Sequence, residues 1–152
     1  MTTLTQKTFR LFFLLLLTNV VGYLGSFAMS EDSMNWYQSL VQAPLTPPAI
    51  VFVLIWPILY ALMSISAFLV WGKVSPRYFC LQLIANGLWP IAFFYFREPL
   101  MALLILLVMI VFIILTIKDF AKFSKPAGWL LVPLLVWSVF ALYLNGFIVL
   151  MN

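Results

Sequence analysis

The sequence contains no histidine and only one cysteine, Cys80, in its 152 residues. The lack of histidine excludes bis-histidine haem ligation and removes the commonest side-chain ligand of transition metals. A single cysteine excludes an intrachain disulfide, a CxxC redox pair and a cysteine metal cluster. Met63 and Met109 are interpreted as core residues, because isolated methionines are good packing residues and weak evidence for a metal. We therefore predict no metal site and no cofactor.

Charge is scarce as well. Only 8% of the residues are charged and 66% are hydrophobic, whereas a soluble domain has about 25% charged residues. A soluble surface cannot be built from this composition, so the protein is expected to have a lipid bilayer as its solvent. The net charge of +4 comes from few and scattered residues, and we predict no binding to nucleic acid.

Five apolar runs are long enough to cross a membrane, which takes about 17–25 residues. The breaks between them are short and either charged or rich in proline. The sequence therefore predicts an all-α protein, an integral membrane bundle of five transmembrane helices in a single domain, with a loop at 30–48 over one end. The predicted spans are 9–29, 49–71, 78–96, 100–117 and 128–150.

The first run has a second interpretation. Lys7 and Arg10 before a leucine-rich core also describe a signal peptide, with Ser26-Phe27-Ala28 as a cleavage site. Thr18, Gly22 and Ser26, however, are spaced four residues apart. One face of the helix is therefore small enough for close packing against a neighbour, which favours a retained helix.

The basic residues predict the orientation of the chain. Seven of the eight fall on one side of the predicted membrane, and only Arg97 falls on the other. Since basic loops remain in the cytoplasm, we expect a cytoplasmic N-terminus and an external C-terminus, in a bacterial inner membrane. Trp71 and Trp129 fit an aromatic belt at the cytoplasmic interface. The seven residues are Lys7, Arg10, Lys73, Arg77, Lys118, Lys122 and Lys125.

The segment 30–48, which we call the lid, combines Trp36 and Tyr37 with three prolines, Pro44, Pro47 and Pro48. Proline fixes its own φ angle and biases the preceding residue toward extended backbone. The sequence predicts a stiff, non-helical cover, too aromatic to be an ordinary solvated loop, over an apolar site.

Three spans carry polar and aromatic residues at helical spacing. Polar side chains inside a span are costly when they face lipid, so these stripes are expected to face the interior. Two interpretations remain: hydrogen bonds that join helices, or the same bonds together with a ligand pocket. The stripes are Trp56, Tyr60 and Ser64; Gln82, Asn86, Trp89 and Phe93; and Trp137, Ala141 and Asn145. Each of these spans is also predicted to have an internal proline, namely Pro57, Pro90 and Pro133.

The predicted pocket has no titratable side chain, so acid–base and nucleophilic catalysis are not expected. All five lysines lie outside the spans, which excludes a retinal Schiff base. The fourth run, from Met101 to Ile117, is uniformly apolar and is expected to face lipid or another subunit.

Three blocks of residues carry a resemblance to a known family. In this order, across 36–145, they resemble the TspO/MBR family of tryptophan-rich sensory proteins and translocator proteins. The blocks are Trp36-Tyr37, Leu40, Pro47-Pro48, Phe52, Trp56 and Leu59-Tyr60; then Gln82-Leu83, Asn86 and Trp89-Pro90; then Pro133, Trp137, Phe140-Ala141 and Asn145.

The resemblance implies a binding protein for flat apolar molecules, above all tetrapyrroles such as protoporphyrin IX and haem, in tetrapyrrole handling or stress sensing. It also implies a homodimer. Sterol binding at the family's C-terminal motif is disfavoured, because no basic residue follows Tyr143. The expected ligand-binding residues are Trp36, Tyr37, Pro47, Trp56, Tyr60, Asn86, Trp89, Trp137, Ala141 and Asn145.

Two alternatives stay open. A transporter would be marked by inverted repeats and an intramembrane charge, and the sequence shows neither. A light-dependent porphyrin-degrading enzyme would use Trp56 and Trp137, the family's functional tryptophans, through indole photochemistry.

Overall fold

The computed structural model describes residues 3–152, and these are almost entirely helical. Within that range, five helical segments are long and apolar enough to span a membrane, which confirms the predicted all-α membrane bundle. The elements are α1 (Leu4–Ser26), α2 (Glu31–Ser39), α3 (Ala49–Leu69), α4 (Arg77–Pro90) with a π-helical continuation (Ile91–Tyr95), α5 (Pro99–Phe123), α6 (Lys125–Leu130) and α7 (Val132–Met151).

Some of the membrane-spanning helices extend beyond the apolar runs from which they were predicted. α1 begins at Leu4, and α5 continues to Phe123, past the predicted boundaries at 9 and 117. Thr3 caps α1, since its Oγ1 accepts a hydrogen bond from the backbone N–H of Gln6. Helices can extend beyond the hydrocarbon core because their backbone hydrogen bonds are internal. The apolar runs in the sequence therefore indicate only the part of each helix that lies in the hydrocarbon core of the bilayer.

The helices form a ring that is tight at one end. α1 packs against α3 and α4, α4 packs against α5, and α5 packs against α6 and α7. α3 completes the ring mainly through α6 and has little contact with α7. The hydroxyl of Ser66 donates to the carbonyl of Ala127 at 2.6 Å, which fixes that junction. Because α6 meets only the last turns of α3, a gap remains between α3 and α7 in the other half.

Small polar side chains join α1 to α3 in the middle of the bundle. Thr18 Oγ1 and Ser64 Oγ are 2.8 Å apart, and both are fully buried. Ser64 also donates to the carbonyl of Tyr60 at 2.8 Å. The small-residue face of α1 is thus in the interior at Thr18, as its spacing predicts for a packed helix, whereas Ser26 near the end of α1 is exposed.

α5 has an exposed apolar face, as expected for a run that faces lipid or another subunit, and also a buried face that the sequence did not reveal. It is a central packing element, lying between α4 on one side and α6 and α7 on the other. The sequence conceals this face, because the helix is apolar on all sides and shows no contrast between buried and exposed positions. The buried face is Ala102, Leu106, Met109, Ile113, Thr116 and Phe120.

The lid also differs from its prediction, because its first half is the helix α2. Ser30 caps α2 by accepting from the N–H of Ser33 at 3.2 Å. Glu31 and Asp32 stand in its first turn, where the helix dipole favours negative charge. All three prolines follow α2 in the chain, so they leave it undisturbed and stiffen only the non-helical remainder, 40–48.

The prolines of the spans take three different positions. Pro57 is internal to α3, as predicted. Pro90 ends the α-helical part of α4, and the π-helical segment follows at once. Pro133 lies in the first turn of α7, where its missing N–H has no helical partner to lose. It is internal to the span Lys125–Met151, as predicted, and the one-residue break between α6 and α7 at Leu131 lies just before it.

Because α5 and α6 approach each other closely, we predict that alanine substitution destabilises the protein at Gly128 and not at Gly146. A Cβ on Gly128 would lie 2.9 Å from the Cβ of Ala121 and 3.3 Å from the carbonyl oxygen of Ile117. Gly128→Ala should therefore lower the free energy of unfolding by about 1–3 kcal/mol through overpacking. Unfolding in mixed micelles measures this.

Gly146 provides the matched control, because a Cβ there would meet nothing closer than 3.8 Å. Gly146→Ala should be neutral or stabilise the protein by up to about 1 kcal/mol through helix propensity. Equal destabilisation by the two substitutions would contradict the close packing of α5 and α6.

Candidate ligand-binding site

A cavity of about 630 Å³ occupies the gap between α3 and α7, in the half of the bundle beneath the lid. This volume lies within the usual range for small-molecule sites, roughly 300–1,000 Å³. The lining comes from every helix except α5 and α6. It is Gly22, Gly25, Ser26, Met29, Met34, Tyr37, Gln38, Gln42, Thr46, Pro47, Ala49, Phe52, Val53, Trp56, Tyr60, Asn86, Trp89, Pro90, Phe93, Phe94, Ala141, Leu144, Asn145 and Ile148.

Most residues predicted from the sequence lie in this lining, and two do not. Trp36 and Trp137 lie outside it and pack against residues that line it. The predicted residues that the structure brings together are Tyr37, Pro47, Trp56, Tyr60, Asn86, Trp89, Ala141 and Asn145.

One wall of the cavity joins α3 to α4. The hydroxyl of Tyr60 donates to Asn86 Oδ1 at 2.8 Å, and the ring of Trp56 stacks on Tyr60 with centroids 5.6 Å apart. Gly22 on α1 makes room for this ring, because a Cβ there would lie 2.3 Å from Tyr60 Cε2. Asn86 Nδ2 is buried and has no hydrogen-bond partner within residues 3–152.

A second hydrogen-bonded chain joins α4 to α7 and to the start of α5. Trp89 Nε1 donates to Asn145 Oδ1 at 3.2 Å, and Asn145 Nδ2 donates to the carbonyl of Pro99 at 2.9 Å. The ring of Trp89 stacks on Phe93 with centroids 5.6 Å apart. Both polar atoms of the Asn145 side chain are therefore occupied, and its role is to hold Trp89 at the cavity wall.

The lid is fastened over the cavity at its start and near its middle. Asp32 on α2 forms an ion pair with Arg97, which also lies over the ring of Trp36 at 6.0 Å from its centroid. Near the middle of the lid, the N–H of Val41 donates to Asn152 Oδ1 at 2.9 Å, and Asn152 Nδ2 donates to the carbonyl of Val41 at 3.3 Å. These contacts tie the lid to the ends of α4 and α7.

Trp36 on α2 does not line the cavity, but its ring packs against Phe93, with centroids 5.7 Å apart. Tyr37 turns inward, between Phe93 and Phe94 at centroid distances of 5.9 and 5.7 Å. Burial raises the pKa of the Tyr37 hydroxyl above its ordinary value, so the lid presents a neutral phenol to the cavity.

Trp137 packs behind the wall. Its ring meets Phe52 edge-on, with centroids 5.5 Å apart, and Phe52 itself lines the cavity. The buried Nε1 of Trp137 finds no hydrogen-bond partner in the described part of the chain.

Sequence reasoning missed the contribution of α1 and most of the lid. Gly22 and Ser26 belong to the small-residue stripe, which was interpreted as packing alone. Phe52 could have been found, since it precedes Trp56 by four residues on the same helical face. Gln38 and Gln42 carried no signal, because neutral polar residues are common in any connecting segment.

The cavity is chemically simple. None of its lining residues is Asp, Glu, Lys or Arg, and the chain has no histidine. Within residues 3–152 no cluster of potential metal ligands occurs. What remains is a set of aromatic faces with a few neutral donors and acceptors, an arrangement suited to binding a flat apolar molecule.

These features define the class: an integral membrane protein with a five-helix bundle and an aromatic cavity beneath a lid. The sequence profile of the TspO/MBR family matches residues 14–151. The chain is 34% identical over 140 residues to the tryptophan-rich protein TspO of Chlorobaculum tepidum, covering 87% of this chain and 89% of that protein.

A similar protein with the same name, from Archaeoglobus fulgidus, is 33% identical, with coverage of 87% and 90%. The translocator protein of Bos taurus is 32% identical, with coverage of 86% and 82%. The chain belongs to the TspO/MBR family, as its three motif blocks predicted.

The Tyr60–Asn86 hydrogen bond predicts the effect of removing one hydroxyl. In Tyr60→Phe, Asn86 Oδ1 loses its donor while it remains buried, which should cost about 1–3 kcal/mol of stability. Thermal unfolding in detergent tests this against Tyr143→Phe, which changes an exposed tyrosine. If the two variants unfold at the same temperature, the hydrogen bond does not stabilise the wall.

Proposed function

We propose that this protein is a membrane receptor for flat, apolar small molecules, with tetrapyrroles such as protoporphyrin IX and haem as its ligand class. The observation that carries the proposal is the cavity beneath the lid, walled by Trp56 and Trp89. The tetrapyrrole class comes from the family resemblance.

The wall chemistry supports a planar ligand. Trp56 stacks on Tyr60, and Trp89 stacks on Phe93, so two pairs of roughly parallel rings border the cavity. Flat rings pack well against such faces, because aromatic pairs prefer offset-stacked or edge-to-face contact. Asn86 also lines the cavity, and its Nδ2 is a buried donor without a partner in residues 3–152.

The lid supports sequestration of the ligand. Its two fastenings, Asp32–Arg97 and Val41–Asn152, lie at the surface, where they can break and form again without disturbing the bundle. A preorganised cover improves affinity, because less conformational freedom is lost when the ligand binds.

The homodimer that the resemblance implies remains a prediction.

We also propose that the N-terminus is cytoplasmic and the lid external, in a bacterial inner membrane. The seven basic residues at the α1, α3–α4 and α5–α6 ends lie opposite the lid and Arg97, and basic loops are retained in the cytoplasm.

Paired reporter fusions test this orientation. A periplasm-dependent phosphatase joined after Asn152 should be active, and the same reporter joined after Lys73 should be inactive. The reverse pattern would overturn the orientation without affecting the fold.

Substitution of the cavity tryptophan tests the site itself. Trp56→Leu should weaken protoporphyrin IX binding by about 5- to 150-fold, because loss of a stacking surface costs on the order of 1–3 kcal/mol. Trp137→Leu should have a smaller effect, since that ring acts through Phe52. Equilibrium titration in lipid nanodiscs measures both.

Trp71→Leu is the matched control, because Trp71 lies at the opposite end of α3, where Arg10 covers its ring. Its porphyrin affinity should equal that of the parent protein. If Trp71→Leu binds most weakly, or if Trp56→Leu binds like the parent, the porphyrin does not occupy this cavity.

A further inference from the structure

The end of the bundle opposite the lid, which we call the basic end, carries a large positive charge. It holds the seven basic residues named above and one carboxylate, Asp119, so seven positive charges less one negative leave +6. Asp119 pairs with Lys122 at 2.8 Å. Within residues 3–152, no ion pair involves the other six cations. An anionic partner is therefore expected at this end.

The packing of α1 against α3 gives the position of Arg10. Thr18 Oγ1 lies 2.8 Å from Ser64 Oγ, and one turn further along α1, Gly22 meets the ring of Tyr60, so the two helices are antiparallel. Arg10 precedes Thr18 by eight residues, and residue 72 follows Ser64 by eight. Arg10 is therefore level with the connection that follows α3, which also carries Lys73.

The packing of α1 against α4 brings a second arginine to the same level. A Cβ on Gly87 would lie 2.9 Å from Val21 Cγ1, and α4 runs in the same direction as α1 because it returns after α3. Arg10 is eleven residues before Val21, and Arg77 is ten before Gly87. At about 1.5 Å per residue, the two arginines differ in height by roughly 2 Å. Since packed helices lie about 8–10 Å apart, both guanidinium groups can reach a single phosphate.

Each of these arginines rests on an aromatic ring. The guanidinium carbon of Arg10 lies 5.7 Å from the centroid of the Trp71 ring, and that of Arg77 lies 4.5 Å from the centroid of Tyr78. Contact with the face of a ring leaves the N–H groups at the edge of the guanidinium free to donate. A guanidinium held in this way is oriented to bind two phosphate oxygens at once.

The surrounding aromatic residues place this cluster at the level of the lipid headgroups. Trp71 and Trp129 are exposed at the basic end, and tryptophan is enriched where the membrane meets water. Phe13, also exposed, meets the Trp71 ring edge-on with centroids 6.3 Å apart. Arg10 lies about one turn beyond Phe13, outside the leucine-rich part of α1. The phosphates nearest to it are therefore those of the bilayer.

We propose that Arg10, Lys73 and Arg77 form a binding site for the phosphate of an anionic phospholipid, at the junction of α1, α3 and α4. The two arginines clamp the phosphate oxygens, and Lys73 adds a mobile point charge. The net charge of +6 at this end favours an anionic headgroup over a zwitterionic one, because clustered basic residues at the membrane surface attract anionic lipids. The site is separate from the cavity beneath the lid and does not depend on the proposed function.

Native mass spectrometry of the protein in detergent tests the site with phosphatidylglycerol and phosphatidylcholine as probes. The parent should retain one phosphatidylglycerol, bound about tenfold more tightly than phosphatidylcholine. The double variant Arg10→Gln/Arg77→Gln should lose about tenfold or more in phosphatidylglycerol affinity, as expected when charge-assisted hydrogen bonds are removed. Both side chains lie at the surface, and the unfolding temperature of each variant checks that it is folded.

Two further variants separate a built site from general attraction. Lys118→Gln/Lys125→Gln removes the same charge from exposed positions at the same end and should leave the affinity within about twofold, because charges outside the site are largely screened. Arg10→Lys/Arg77→Lys keeps the charge but loses the planar fork, and should still weaken binding by several-fold. Equal losses in the two glutamine variants, or no loss in the lysine variant, would overturn the site.

Inorganic phosphate distinguishes a lipid headgroup from a free anion. Titrated calorimetrically into the delipidated protein at the same ionic strength, it should bind far more weakly than the lipid does, since it lacks the acyl chains that lie along the bundle. Tight binding of inorganic phosphate, lost in Arg10→Gln/Arg77→Gln, together with no retained phosphatidylglycerol, would overturn the lipid assignment. Equal retention of phosphatidylcholine and phosphatidylglycerol would contradict the preference for an anionic headgroup.

Discussion

The hydrogen bond between Tyr60 and Asn86 shows the constraint on which the rest of the structure depends. A bilayer core has no water for polar groups, so hydrogen bonds inside the protein are the partners open to a buried side chain. Tyr60 donates to Asn86 Oδ1 between α3 and α4, and Asn145 bonds to both Trp89 and the Pro99 carbonyl. Bonds made to satisfy buried amides thus hold the aromatic walls in place.

The cavity exists because the ring of helices is closed unevenly. α6 packs against α3 at the end of the bundle that carries the seven basic residues. At the end beneath the lid, α7 has little contact with α3. Lipid would fill such a gap if nothing covered it, and the lid, with α2 and its three prolines, supplies the cover. The fold therefore combines a rigid base, where residues pack closely, with a space whose access depends on surface contacts.

Side-chain polarity was enough to predict which residues of α3 and α4 face the interior. It was not enough where the packing of a neighbouring helix decides which residues line the cavity or are buried. Trp56, Tyr60, Asn86 and Trp89 were found because polar and aromatic residues at helical spacing must face inward. Trp137 was placed in the cavity because it shares a four-residue spacing with Ala141 and Asn145. Each such step turns about 40° around the helix, so over two steps the stripe rotates away toward Phe52. The buried face of α5 could not be predicted, since that helix has no polar contrast.

A structure of the protein in lipid with protoporphyrin IX bound tests the central claim most directly. The account predicts the macrocycle within the cavity, in contact with Trp56 and Trp89, beneath a closed lid. A porphyrin seated on the lipid-facing surface, or beside Trp71 and Trp129 at the basic end, would contradict it.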